Sequence, residues 1–327
     1  YLFSLVDNST QYPDRITTLE EKWSKLTQNI QAEKLPDFIR YYWNSKNKTV
    51  RGNELFKAIR GKIKTAEEVF ALMNEMMEYS DIYMALRNAN DELWQGQREI
   101  TDNIELLNLF NMKQPYSLLM AAYKHLEKDN FVRLLSDVIT VGFRYNVICG
   151  KNPNDIEKIY NNIATQIYSN SEYNRRQLQE IYVDDNEFVT VFSHKIFSPN
   201  TRNNRIVKYI LGKYERFKGG TRDISLNSET DTLEHILPQN PGLEWGDNNY
   251  DFDSLIYRIG NICLLEKNFN KDLENKSYFS KCEIYKQSAF ETTKSIPTTF
   301  PGWNSASINQ RQIQMANCAK SIWKIDF

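Results

Sequence analysis

The chain is poor in the residues that turn-rich β folds depend on, with 12 glycines and 9 prolines in 327 residues. That shortage favours long helices. Its four cysteines, Cys149, Cys263, Cys282 and Cys318, are scattered without paired metal spacing. They read as reduced thiols, mostly in the core. No charge of one sign dominates: 41 Lys and Arg face 42 Asp and Glu, a formal net charge of −1. The totals therefore give no sign of a nucleic-acid partner, and local charge has to be read instead. There is no apolar run of transmembrane length and no signal peptide, so a cytoplasmic location with no membrane partner is expected. Histidine is the scarcest functional residue, present only at His125, His194 and His235. The chain has no His-Glu-x-x-His and no Gly-rich loop ending in Gly-Lys-Ser/Thr, and nothing marks a nucleophile elbow.

Aromatic and apolar residues are plentiful. Hydrophobic residues make up 41%, with 6 Trp, 19 Tyr and 17 Phe. That is enough for a sizeable core, and the length predicts about two domains. Residues 17 to 218 read as helical. "TTLEEKWSKLTQNI" has Glu at capping-box spacing from a Thr. "LPDFIRYYWNSK", "GNELFKAIRGKI", "AEEVFALMNEMMEYSDIYMAL", "YSLLMAAYKHL" and "FVRLLSDVITVGFRYNVI" carry large apolar residues at helical spacing. "PNDIEKIYNNIATQIY" opens with a proline suited to a helix start. The texture breaks at "FKGGTRDISLNSETD", which predicts a boundary at 218/219. Beyond it, "LIYRIGNICLL" reads as a strand or hairpin arm, and "NKDLENKSYFSKCEIYKQSAF" as a loop entering a helix. "INQRQIQMANCAKSIWKI" places Ile308, Gln312, Met315, Ala319 and Ile322 near one helical face. The expected fold is mainly α: a helical, bundle-like domain over 1–218, then a small α+β module with closing C-terminal helices over 219–327.

The candidate chemistry sits in "TLEHILPQNPGLEW". Glu234 offers a carboxylate and His235 an imidazole able to take a proton from water. Asn261, Asn268, Asn270 and Asn275 offer amide oxygens downstream. Hard divalent cations such as Mg²⁺ prefer oxygen ligands of this kind. Pro238 is placed to end the strand that carries the pair. His125 and His194 lack metal-spaced partners and read as structural or exposed.

"EHILPQ…RIGNICLLEKNFN" resembles the ββα-metal, or HNH, nuclease motif. Here Asn261 to Leu264 gives the Asn-x-x-Leu, and Asn270 lies nine residues past Asn261. The resemblance implies a ββα-metal nuclease module with Glu234 and Asn270 as metal ligands, His235 as general base, and Asn261 steadying the loop. A longer stretch, through "NKDLENKSYFSKCEIYKQS", is similar to the C-terminal nuclease domain of GmrSD-type modification-dependent restriction enzymes. That similarity adds Asn275 to the metal candidates and Lys281 to the catalytic ones. The helical half also resembles the middle region of such proteins. The resemblance implies a Mg²⁺-dependent DNA endonuclease of a bacterial anti-phage or restriction-modification system, with Mn²⁺ an alternative metal. Nicking is the natural activity of one site, and a homodimer would serve double-strand cuts.

Two departures accompany the resemblance. The family's N-terminal ParB-like nucleotide-hydrolysing module carries an Asp-Gly-Gln-Gln-Arg-type signature, and this chain has no such string. The chain opens on Tyr1 rather than Met, and the expectation is a C-terminal fragment whose NTPase partner domain lies elsewhere. Many HNH proteins also hold a structural zinc with two Cys pairs. Cys263 and Cys282 cannot make that set, so no zinc is expected.

Charge is uneven. Gly219 to Gln287 has 7 Lys and Arg against 12 Asp and Glu, poor for gripping DNA. The preceding "KIFSPNTRNNRIVKYILGKYERFK" has 7 Lys and Arg against 1 Glu. Arg202, Arg205, Lys208, Lys213 and Arg216 form a basic stripe there that would hold phosphates. A solvated helix face explains it equally well. The competing functional class is a helical interaction scaffold with an inactive HNH-like insert.

Overall fold

The computed structural model describes residues 1–7, 14–242, 245, 255–271, 273 and 275–327. The protein is mainly helical, with a two-stranded sheet among the described residues. Its chain forms two compact units. The first is Tyr1–Gly142 with Lys151–Tyr182 and Phe327, and the second is Phe143–Gly150 with Val183–Asp326. The compact units thus divide near residue 182, earlier than the change in sequence texture at 218/219. The physical reason is packing: helices that look like the rest of the helical half are built onto the strands and closing helix of the second unit.

The first unit holds α1 (Leu2–Asp7), α2 (Asp14–Ile30), α3 (Leu35–Asn44), α4 (Gly52–Lys62), α5 (Ala66–Ala85), α6 (Arg98–Leu109), α7 (Tyr116–His125), α8 (Lys128–Gly142) and α9 (Pro153–Asn170). The capping box expected in "TTLEE" is not there, because α2 already starts at Asp14 and both threonines lie inside it. The box occurs at α5 instead, where Thr65 and Glu68 each accept from the other's backbone N–H. At α9, Pro153 follows the Asn152 cap as read from sequence. Helix α7 is buried at every position from Tyr116 to Ala122 and packs on α3, α5, α8 and α9. The tyrosines supply much of this core. Tyr41 and Tyr83 both meet the Tyr116 ring edge-on, at 5.5 and 5.6 Å, an arrangement that suits the ring quadrupole. His125 has a packing role here, with Nε2 3.3 Å from the Tyr79 hydroxyl and its ring edge-on to Tyr168.

The second unit starts with a π-helical turn, Phe143–Ile148. Its Arg144 is fully buried and donates to the carbonyls of Val183 and Trp323 and to the Asp185 carboxylate. Then come α10 (Asp185–Phe192), α11 (Thr201–Phe217), β1 (Asp231–His235), β2 (Ile262–Glu266), α12 (Lys267–Lys271), α13 (Tyr278–Tyr285), α14 (Glu291–Lys294), α15 (Ile296–Thr299) and α16 (Ser305–Ile322). The two strands are antiparallel, with Glu234 opposite Cys263 and His235 opposite Ile262.

The strand read in "LIYRIGNICLL" is shorter than its apolar run. Ile259–Asn261 forms a 3₁₀ turn and pairing begins at Ile262. Helix α16 accounts for the turn. It buries Ile308, Gln312, Met315 and Ala319 on the face expected, while Ile322 is half-buried. The Gln312 amide accepts from Arg258 Nε and Gly260 N, and donates to the carbonyls of Phe192 and Lys195. The backbone at Gly260 therefore lies against the helix. A Cβ there would sit 2.4 Å from the Ile308 carbonyl and 2.8 Å from Gln312 Cβ. Gly260→Ala is expected to destabilise the second unit by about 1–3 kcal/mol, the usual cost of overpacking. An unchanged urea midpoint would show that α16 does not press on this turn.

Candidate active site

Successive side chains of a strand point to opposite faces, and at the end of β1 Glu234 and His235 separate accordingly. Glu234 turns inward and is 6% exposed. Its Oε1 accepts from Lys281 Nζ at 2.6 Å and from the Tyr285 hydroxyl at 3.1 Å. Lys281 has no exposed surface and donates a second bond, 2.8 Å long, to the backbone carbonyl of His235. Lys281 and Tyr285 lie four residues apart on α13 and so share one face. Burial pushes the Glu234 carboxyl upward from its usual range, while the charge of Lys281 and the bonds from Lys281 and Tyr285 pull it back.

The His235 ring is half-buried and stands edge-on to Tyr257 at 5.8 Å. Its Nε2 is buried and has no hydrogen-bond partner among the described residues. Burial, and then the nearby Lys281 charge, lowers its pKa to about 4. The imidazole is therefore neutral at pH 7 and carries one unprotonated ring nitrogen.

Asn261 is fully buried and acts as a junction. Its Nδ2 donates to the carbonyls of Leu237 and Ile256. Its Oδ1 accepts from Leu237 N and Trp303 Nε1, and its backbone carbonyl accepts from Ile236 N. These bonds fix the two residues that come after His235. Asn270 is half-buried, and its Nδ2 donates to Thr232 Oγ1 at 2.7 Å and to the Leu233 carbonyl at 3.2 Å, tying α12 to β1. Asn268 and Asn275 are exposed. Asn275 is engaged through its backbone carbonyl, which accepts from Trp245 Nε1. Pro238 lies beyond the end of β1 rather than at it. His194 is exposed, with Nδ1 3.1 Å from the Thr190 carbonyl.

The structure therefore brings Glu234, Lys281, Tyr285 and the His235 backbone together, and it puts Asn270, on α12, against Thr232 and Leu233 of β1. The Glu234 oxygen is already matched by an ammonium, and a cation beside it would face that buried charge at short range. Among the described residues, no group of three His, Cys, Asp or Glu is placed to hold a metal. Lys281 has no surface from which to touch a phosphate. Sequence reasoning missed Tyr285 and Thr232. Tyr285 was legible as the i+4 neighbour of Lys281.

On α11, Arg202, Lys213 and Arg216 are exposed, while Arg205 and Lys208 are half-buried. Lys208 donates to the Ser228 carbonyl, which turns it away from the stripe. None of the helices among the described residues is long and apolar enough to cross a membrane.

Residues 182–318 match the family described as GmrSD restriction endonucleases, C-terminal domain. No curated protein matches the chain.

Proposed function

We propose, from the match of residues 182–318 to the GmrSD restriction-endonuclease C-terminal family, that the second unit is an HNH-type endonuclease that hydrolyses DNA phosphodiester bonds. His235 is its general base. One observation carries this reading: a neutral imidazole at the end of β1 with a buried Nε2 that no described group engages. In that state Nε2 takes the proton of an attacking water, and the bond from phosphorus to the leaving 3′ oxygen breaks.

The other residues position this base. Lys281 holds the His235 carbonyl and the Glu234 carboxylate, and Asn261 fixes the backbone beyond it. The exposed cations Arg202, Lys213 and Arg216, with Arg205 beside them, are the proposed contacts to the DNA backbone, and they position the duplex without reading its sequence. One such site cuts one strand, so nicking is the expected activity, and paired cuts would need a homodimer. The proposed setting is a bacterial restriction or anti-phage system, working with an N-terminal ParB-like NTPase domain in the cytoplasm. The divalent cation implied by the resemblance, Mg²⁺ or Mn²⁺, belongs to the test. Lys281 already compensates the Glu234 charge.

The experiment is relaxation of supercoiled plasmid with Mg²⁺, with Mn²⁺ and with EDTA, using the native protein, His235→Ala and His194→Ala. Nicking that disappears in His235→Ala alone supports the reading. Equal background cutting by all three proteins makes the domain an interaction scaffold instead. A parallel structured-RNA substrate tests the choice of sugar.

A further inference from the structure

Helix α4 and its flanks give the first unit a surface of one charge. From Lys48 to Lys64 the chain has six basic residues, Lys48, Arg51, Lys57, Arg60, Lys62 and Lys64, against Glu54 alone. All six are exposed, and among the described residues none of them pairs with a carboxylate. Other cations of the unit are matched across helices, as Arg15 is by Glu67, Arg40 by Glu157 and Lys124 by Glu78. Lys62 and Lys64 donate to the Asn47 side-chain oxygen and the Arg60 carbonyl. Those acceptors are neutral and leave the charge uncompensated. Lys57 and Arg60 stand three residues apart on one face of α4, where like charges weaken a helix.

The helix does little for the core. Leu55 is its one buried residue. Its outer face instead carries Phe56 between the cations Lys57 and Arg60, and Phe56 is 61% exposed. Tyr1 completes the patch. Its hydroxyl donates to the Ile63 carbonyl at 2.5 Å, and its ring meets the Phe56 ring edge-on at 6.2 Å. The Arg60 guanidinium lies 5.7 Å from the centroid of the Tyr1 ring. Two exposed rings and a guanidinium therefore stand side by side. A solvated face accounts for the cations but not for an apolar ring set out in water among them.

We propose that this face binds single-stranded nucleic acid, with its cations on the backbone phosphates and Phe56 against an unstacked base. A row of unpaired cations complements a phosphate backbone and releases its counterions. An aromatic ring beside that row stacks on any base, because every base has a π-face. A duplex keeps its bases stacked and offers the ring nothing. An anionic membrane surface calls for a broad apolar face, and α4 exposes one large apolar side chain. Strands of DNA and RNA share the chemistry. The surface has no residue in common with the His235 network or with α11, and it stands whether or not the nuclease reading holds.

The test is fluorescence anisotropy on the full chain with four probes: a short oligothymidylate, an oligouridylate, a duplex of the same length, and phosphatidylserine vesicles. The proteins are native, Phe56→Ala, Lys57→Ala/Arg60→Ala and, as a control on α11, Lys213→Ala/Arg216→Ala. All these positions are exposed, and an unchanged Tm confirms that each variant is folded. Single-strand binding is expected to weaken about tenfold in Phe56→Ala, with duplex binding unchanged. In Lys57→Ala/Arg60→Ala the slope of log K against log salt is expected to fall by about 1.4, for two phosphate contacts at about 0.7 each. The α11 control is expected to keep single-strand affinity. Oligothymidylate held more tightly than oligouridylate assigns DNA, and the reverse assigns RNA. Single-strand affinity equal to native in both α4 variants, or no single-strand binding at all, overturns the proposal. Vesicle binding that the α4 variants alone lose, without strand binding, makes the face a membrane contact and overturns it too.

Discussion

Lys281→Met is expected to destabilise the second unit by about 3–5 kcal/mol, the cost of leaving one partner of a buried ion pair alone. Glu234 is the partner left behind. It is nearly inaccessible, and Lys281 is its ion-pair partner. Tyr285 donates a neutral hydrogen bond to the same oxygen, which does not replace a charge. The lost bond to the His235 carbonyl adds to the effect. The double variant Glu234→Gln/Lys281→Met removes both charges, and most of the lost stability is expected to return. That non-additivity is the signature of direct coupling. Urea unfolding followed by tryptophan fluorescence reads all three proteins, since Trp303 and Trp323 are buried in this unit. A cost under about 1 kcal/mol for the single variant would put the pair in the range of solvated surface ion pairs. Glu234 would then be open to a cation, and the geometric objection to a metal there would fall.

The helices were legible because their cause is local. Apolar spacing in α3, α5, α7 and α9 is written in consecutive residues, and the Asn152–Pro153 start of α9 is a local signal too. The strand was legible only in part. The run from Leu255 to Leu265 is largely apolar, and what turns Ile259–Asn261 into a 3₁₀ segment is Gln312 and the backbone of α16, about fifty residues away. The site shows the same division. Glu234, His235 and Asn261 stand out as a spaced motif, and Asn261 makes five bonds that hold the loop. Nothing near Glu234 in sequence says that its charge is spent on Lys281, 47 positions later. Lys281 looks like any helix lysine until α13 is folded over β1. Arg311 was invisible for the same reason: nothing in "NQRQIQ" marks this cation as buried, and only packing shows it.

His235→Ala is expected to lower the nicking rate by about 10²–10⁴-fold, the usual contribution of a positioned general base. KM is expected to hold, because the proposed DNA contacts lie on α11. Stability should change little compared with Lys281→Met. The Nε2 of His235 engages no described group, so truncation strands no partner there, and what is lost is packing of the ring against Tyr257. This split between rate and stability distinguishes a base from a structural histidine. His125 supplies the contrast within the same chain. Its ring contacts Tyr79 and Tyr168, so His125→Ala should cost stability in the first unit and leave the nicking rate near native. If His235→Ala keeps more than about a tenth of the rate, the loss is too small for a general base. If it instead unfolds the second unit, the ring was a packing element. Either result removes His235 from the chemistry and leaves the Glu234–Lys281 pair as a purely structural clamp on β1.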